Sequence, residues 1–234
     1  MALFNNPPLA SKSLRVLARL LAYPDAELRG HMAALREALH EEHALESQRL
    51  TELDALIEAL ALAPALETEA AYVELFDRGR ATSLHLFEHV HGDSRDRGPA
   101  MIDLAQTYEK AGMYLAEGEM PDFLPVVLEF TSTQPPREAR EFLAEMAHIF
   151  NAIFSALQQR GSAYASVLGA LLELAGEKAQ PVQIAAEESI DAVWEEPVVF
   201  DGCSSKGQAR PDQAQPIRIV PHVRKARPNQ GVQA

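Results

Sequence analysis

Leucine and alanine recur every third or fourth position through most of this chain, and prolines and glycines cut the pattern into segments. That spacing puts the apolar residues of each segment on one side of a helix, where a strand would need them at alternate positions. A first helix is expected from Ser11 or Ser13 to just before Pro24. Asp25 can cap a second, whose Leu28, Met32, Leu35 and Leu39 share a face. Ser47 opens a third, with Leu50, Leu53, Leu56, Ile57 and Leu60 aligned and Pro64 as its stop. Further helices are expected over 67–77, 82–90, 94–112, 126–130, 137–159 and 163–174. Glu119 to Pro125 reads as a kinked loop. No convincing strand and no internal repeat is present, so the expected fold is all-α: one bundle of about eight to ten helices.

The 234 residues suffice for one sizeable core. A formal net charge of −13 argues against nucleic acid as a general partner and suits a basic one. One cysteine, Cys203, permits no internal disulfide and fits a reducing, cytoplasmic setting. No signal peptide is evident, and no apolar run reaches the ~18 residues of a membrane span. The composition changes after Phe200. Residues 204–234 carry six basic side chains against Asp212, a net +5, with many Pro, Gln and Ser. The expected division is therefore a helical domain over 1–200 and a disordered basic tail over 201–234.

The stretch from Tyr72 to Leu128 concentrates aromatics, histidines and paired charges. Tyr72, Leu75 and Phe76 fall at i, i+3 and i+4, a spacing that serves a core or a groove wall. His85 and His89, with Glu88, His91 and Arg95 nearby, are spaced to share a cation, yet HExxH is absent. A polar surface is the better reading, with no metal. Glu119, Pro121 and Asp122, followed by Leu124 and Pro125, make a rigid acidic loop. Such a loop suits an incoming Arg or amide; equally, Asp122 can cap the helix that follows. The patterns GxSxG, GxxxxGK[ST] and GxGxxG are missing, so neither catalysis nor a nucleotide cofactor is expected.

Four motifs then carry a family resemblance: LLAYPDAELR, YVELFDRGRATSLHLFEHVHGDSRDRG, the E-x-P-D-x-L-P loop with its following LEF, and WEEPVVF. Together they resemble the NarJ family over about residues 11–200. These are cytoplasmic assembly chaperones of respiratory nitrate reductase, similar to the TorD and DmsD redox-enzyme maturation proteins. The resemblance implies an all-helical chaperone without catalysis or a cofactor of its own. Its implied partner is the N-terminal segment of the apo catalytic subunit, held for molybdenum cofactor insertion and membrane docking. The implied peptide contacts fall on Tyr72, Leu75, Phe76, Glu119, Pro121, Asp122 and Leu124. Phe123 departs from the histidine that the wider group carries there. The competing readings are a helical adaptor for another partner peptide and a metal enzyme built on His85, His89 and His91.

Overall fold

The structure, a computed structural model, describes residues 8–92 and 94–180. These belong to the first of two units, Met1–Glu187. The second unit, with the expected tail, Cys203 and the WEEPVVF motif, lies outside the described residues, as does Asp93. Among the described residues the chain is all-α. The helices are α1 (Ser11–Leu20), α2 (Ala26–Gly30), α3 (Met32–Glu42), α4 (Ser47–Leu62), α5 (Ala65–Phe76), α6 (Leu86–Val90), α7 (Arg97–Lys110), α8 (Leu124–Ser132), α9 (Pro136–Glu145), α10 (Ala147–Gln159) and α11 (Ala165–Ala175). A single 3-10 turn, Arg80–Thr82, precedes α6. None of these helices is long and apolar enough to cross a membrane.

The eleven helices among the described residues exceed the expected eight to ten because two long segments are each broken by one residue. His31 interrupts the second expected helix, and its N–H donates to Leu28 O at 3.0 Å. Met146 interrupts the 137–159 segment, and its N–H reaches Leu143 O at 3.2 Å. Both are tightened i→i−3 turns, which redirect a helix without a proline. The expected 82–90 helix is also shorter, because Ser83–His85 are non-helical, with His85 extended, and α6 starts only at Leu86.

Several caps come from distant carboxylates. Asp25 accepts from Leu28 N at 2.8 Å, the local cap that the sequence suggests. At α1, however, the cap is Glu42, from the end of α3. Its carboxylate accepts from Lys12 N at 3.0 Å and Ser13 N at 2.6 Å. Glu173 of α11 likewise accepts from Glu46 N at 2.5 Å, just before α4. An acceptor placed at a helix N-terminus meets unpaired N–H groups and the positive end of the dipole.

The main core gathers Leu14, Leu17 and Leu20 of α1, Leu53 of α4, Leu128 of α8, Phe150 and Ile153 of α10, and Leu168 and Leu171 of α11. Helix α1 packs mainly on α8, and α10 on α11, which also touches α4 and α9. A smaller cluster of Tyr108, Val126 and Phe130 ties α7 to α8. Phe150 has no exposed surface. Phe150→Ala is expected to lower the unfolding free energy by about 3–5 kcal/mol, measured by urea denaturation.

Candidate functional site

Two distant loops are joined by a short antiparallel clamp. Leu86 N donates to Asp122 O at 3.0 Å, and Leu124 N to Leu84 O at 2.8 Å. His85 and Phe123 face each other across this single bridge, their rings 5.3 Å apart. Pro121 is held from the other side, where Tyr108 OH donates to its carbonyl at 2.8 Å.

The Asp122 side chain is fully buried beneath the clamp. Its Oδ2 accepts from Phe87 N at 3.2 Å, in the first turn of α6. His85 Nδ1 lies 3.3 Å from Oδ1, and Arg97 Nη2 lies 3.7 Å from Oδ2. Arg97 also approaches Glu88 at 3.6 Å. A carboxylate removed from water needs such donors and cations to remain charged. Asp122 therefore caps α6 from a distant loop, where the sequence had suggested either a peptide contact or a cap on the helix beginning near Leu124. Asp122→Ala should cost about 3 kcal/mol of stability, because it takes the acceptor from His85 and Phe87 N and leaves Arg97 with Glu88 alone. Asp122→Asn, which keeps an acceptor for Phe87, should cost less in the same thermal melt.

The hydrogen bond to Asp122 is the main reason that the His85 imidazole titrates above its ordinary 6.5; burial opposes it, and the Asp122 charge adds to it. The folded state thus binds this proton more tightly than the unfolded chain does. The contribution is fully present below the unfolded value near 6.5 and is lost as pH rises through the higher folded value. Stability should fall across this range, and His85→Gln should flatten that part of the pH profile, read as melting temperature.

The expected site residues separate into two hollows. Tyr72 and Leu75 line a groove of about 290 Å³ between α4 and α5, closed by the Ser162–Tyr164 turn. Leu56, Ala59 and Leu60 of α4, with Ala63 just after its end, form its other wall, with Ala71 beside Tyr72. Tyr72 OH donates to Leu21 O at 2.8 Å, which fixes its ring. Phe76 does not line the groove. It is buried behind, 4.9 Å from the Tyr72 ring and 5.0 Å from that of Tyr164. Burial pushes the Tyr72 and Tyr164 phenols upward, so both stay protonated at neutral pH.

Glu119 lines a second hollow, of about 460 Å³, with Arg19, His85, Phe123 and Glu129. Its Oε2 accepts from Ala116 N at 2.8 Å. Pro121 and Leu124 are buried. Of the remaining polar residues, His89 Nε2 lies 2.9 Å from Ser83 O, His91 packs edge-on to Phe87 at 5.5 Å, and Arg95 is exposed. Among the described residues no three His, Cys, Asp or Glu side chains stand close enough to hold a metal ion.

The groove walls from α4 and the 162–164 turn were not foreseen. Only the small residues Ala59, in the last turn of α4, and Ala63, just after it, hint at a surface left open.

Residues 22–169 match the nitrate reductase delta subunit family. The chain belongs to that family. This places it where its motifs pointed, with the NarJ proteins. It is 42% identical over 193 residues to the nitrate reductase molybdenum cofactor assembly chaperone NarJ of Escherichia coli K12, covering 78% of this chain and 82% of that one. It is 41% identical over 193 residues to the probable chaperone NarW of the same organism, covering 78% and 80%. A crystal structure of a putative redox enzyme maturation protein from Archaeoglobus fulgidus superposes with a TM-score of 0.51 at 21% identity. It covers 71% of this chain and 94% of that one, and it shares the helical fold. Both hollows lie on the one helical scaffold, with α4 and α5 framing the more apolar of them.

Proposed function

We propose that the protein is a cytoplasmic chaperone of respiratory nitrate reductase. It binds the N-terminal segment of the apo catalytic subunit and holds that subunit for molybdenum cofactor insertion and docking at the membrane. The observation that carries this reading is the relation to NarJ over 78% of the chain, together with the open apolar groove on the same fold.

The physical basis is burial. The groove presents leucine and alanine side chains and fixed aromatic rings, and an amphipathic helix laid along it would bury its apolar face. Each aliphatic anchor so buried contributes roughly 1.5–3 kcal/mol before the cost of association. Tyr72 and Leu75 are the groove contacts in this reading, and Phe76 supports them from behind. Glu119 offers a carboxylate at the second hollow, while Pro121, Asp122 and Leu124 hold that loop in place. The protein then acts by binding alone, shielding a segment until the subunit is complete.

Ala71 is exposed and lines the groove. Ala71→Trp should fill it and weaken binding of a peptide copied from the catalytic subunit's N-terminus by at least about tenfold in calorimetry, with an unchanged melt. Undiminished affinity in that variant would remove the groove from the account.

A further inference from the structure

A third hollow lies on the opposite side of α4, between α3 and α4, with a volume of about 600 Å³. Its floor is apolar. Met32 and Ile57 are buried there, while the exposed Ala33 and Ala61 leave room above them. Leu62, 77% exposed, stands at one end. The rim is acidic. Asp54 is matched by Arg36 at 3.0 Å and also by His40 at 3.0 Å. Glu37 and Glu58 line the same hollow, are exposed, and have no hydrogen-bond or ion-pair partner among the described residues. Two negative charges are thus left uncompensated over an apolar floor.

This hollow and the α4/α5 groove meet at the end of α4. Leu62 lines one and Ala63, the next residue, lines the other. Leu66, 78% exposed at the start of α5, adds an apolar residue beyond the same turn. A ligand leaving one hollow across this turn would meet apolar side chains, and its charged groups would meet carboxylates.

We propose that the α3/α4 hollow receives the cationic flank of the same client segment whose apolar face occupies the α4/α5 groove. The proposal rests on the chaperone reading above. Lys and Arg suit this hollow for a definite reason. Their methylene stems cover apolar surface while the charged head remains in water. Here the stems would lie on Met32, Ile57 and Ala61, and the heads would reach Glu37 and Glu58. An apolar segment would satisfy only the floor, and an acidic one would be repelled by the rim. Such rim charges set partner choice and association rate.

The test uses the full chain and a peptide copied from the catalytic subunit's N-terminus, in two forms: native, and with each Lys and Arg changed to Gln. The proteins are wild type, Ala71→Trp, Ala61→Trp and the double variant Glu37→Lys/Glu58→Lys. All four substituted positions are exposed, and thermal melts check that the fold survives. The double variant should bind the native peptide roughly tenfold more weakly at low salt. The Gln form should bind wild type and the double variant equally. Ala61→Trp should reproduce the loss for the native peptide only. If Ala71→Trp abolishes binding while the double variant and Ala61→Trp leave it unchanged, this inference is overturned and the chaperone groove stands. If Ala71→Trp also binds normally, the groove reading fails and this inference falls with it. A concentration-dependent dimer that Ala61→Trp disperses would assign the hollow to a second copy and likewise overturn the proposal.

Discussion

A single buried carboxylate organises the region between α5 and α8. Asp122 has no exposed surface, yet it touches the first turn of α6, His85 and Arg97. Burying a charge is costly unless donors surround it, so these groups must assemble together. Their assembly aligns Leu84–Leu86 with Asp122–Leu124 and fixes where α6 and α8 begin. Phe123 then sits on a backbone held at both ends, by Tyr108 on Pro121 and by the clamp on Leu124, and Glu119 is tied separately to Ala116 N.

The apolar groove has a different origin. Helices α4 and α5 are joined by a short turn at Pro64, and alanines at 59, 63 and 71 keep their facing sides shallow. Tyr72 is pinned by Leu21 and packed at an angle against Phe76 and edge-on to Tyr164, so the floor is rigid. A rigid apolar floor loses little entropy when a segment binds, which favours recognition by shape and burial. Helix α4 also walls the acidic-rimmed hollow on its other side, so one helix frames two surfaces of different chemistry.

Much of this was legible in the sequence, and the failures share a cause. The leucine spacing of Ser47–Leu62 and the Asp25 cap read correctly because helix periodicity and local caps are short-range properties. The membership in the NarJ proteins was likewise carried by contiguous motifs, above all Tyr72–Gly98. The break at Met146 escaped because neither Pro nor Gly marks it, and the one at His31 because the apolar spacing of Leu28, Met32, Leu35 and Leu39 runs straight across Gly30. The start of α6 was misplaced because Ser83–His85 are held out of the helix by residues nearly forty positions away. Asp122 carried a capping signal, but the helix that it caps is not the one that follows it. Tyr72 and Leu75 were placed in one site with Glu119, and the fold puts them in separate hollows. The walls at Leu56, Leu60 and Ser162–Tyr164 depend on tertiary packing, which no local pattern encodes.

The central claim is that the α4/α5 groove receives the apolar face of the client segment. Amide hydrogen exchange of the full chain, with and without saturating N-terminal peptide of the catalytic subunit, tests it most directly. The account predicts new protection concentrated in the last turns of α4, in α5 and in the Ser162–Tyr164 turn. Protection confined to Gly118–Phe123, with α4 and α5 exchanging as before, would contradict it.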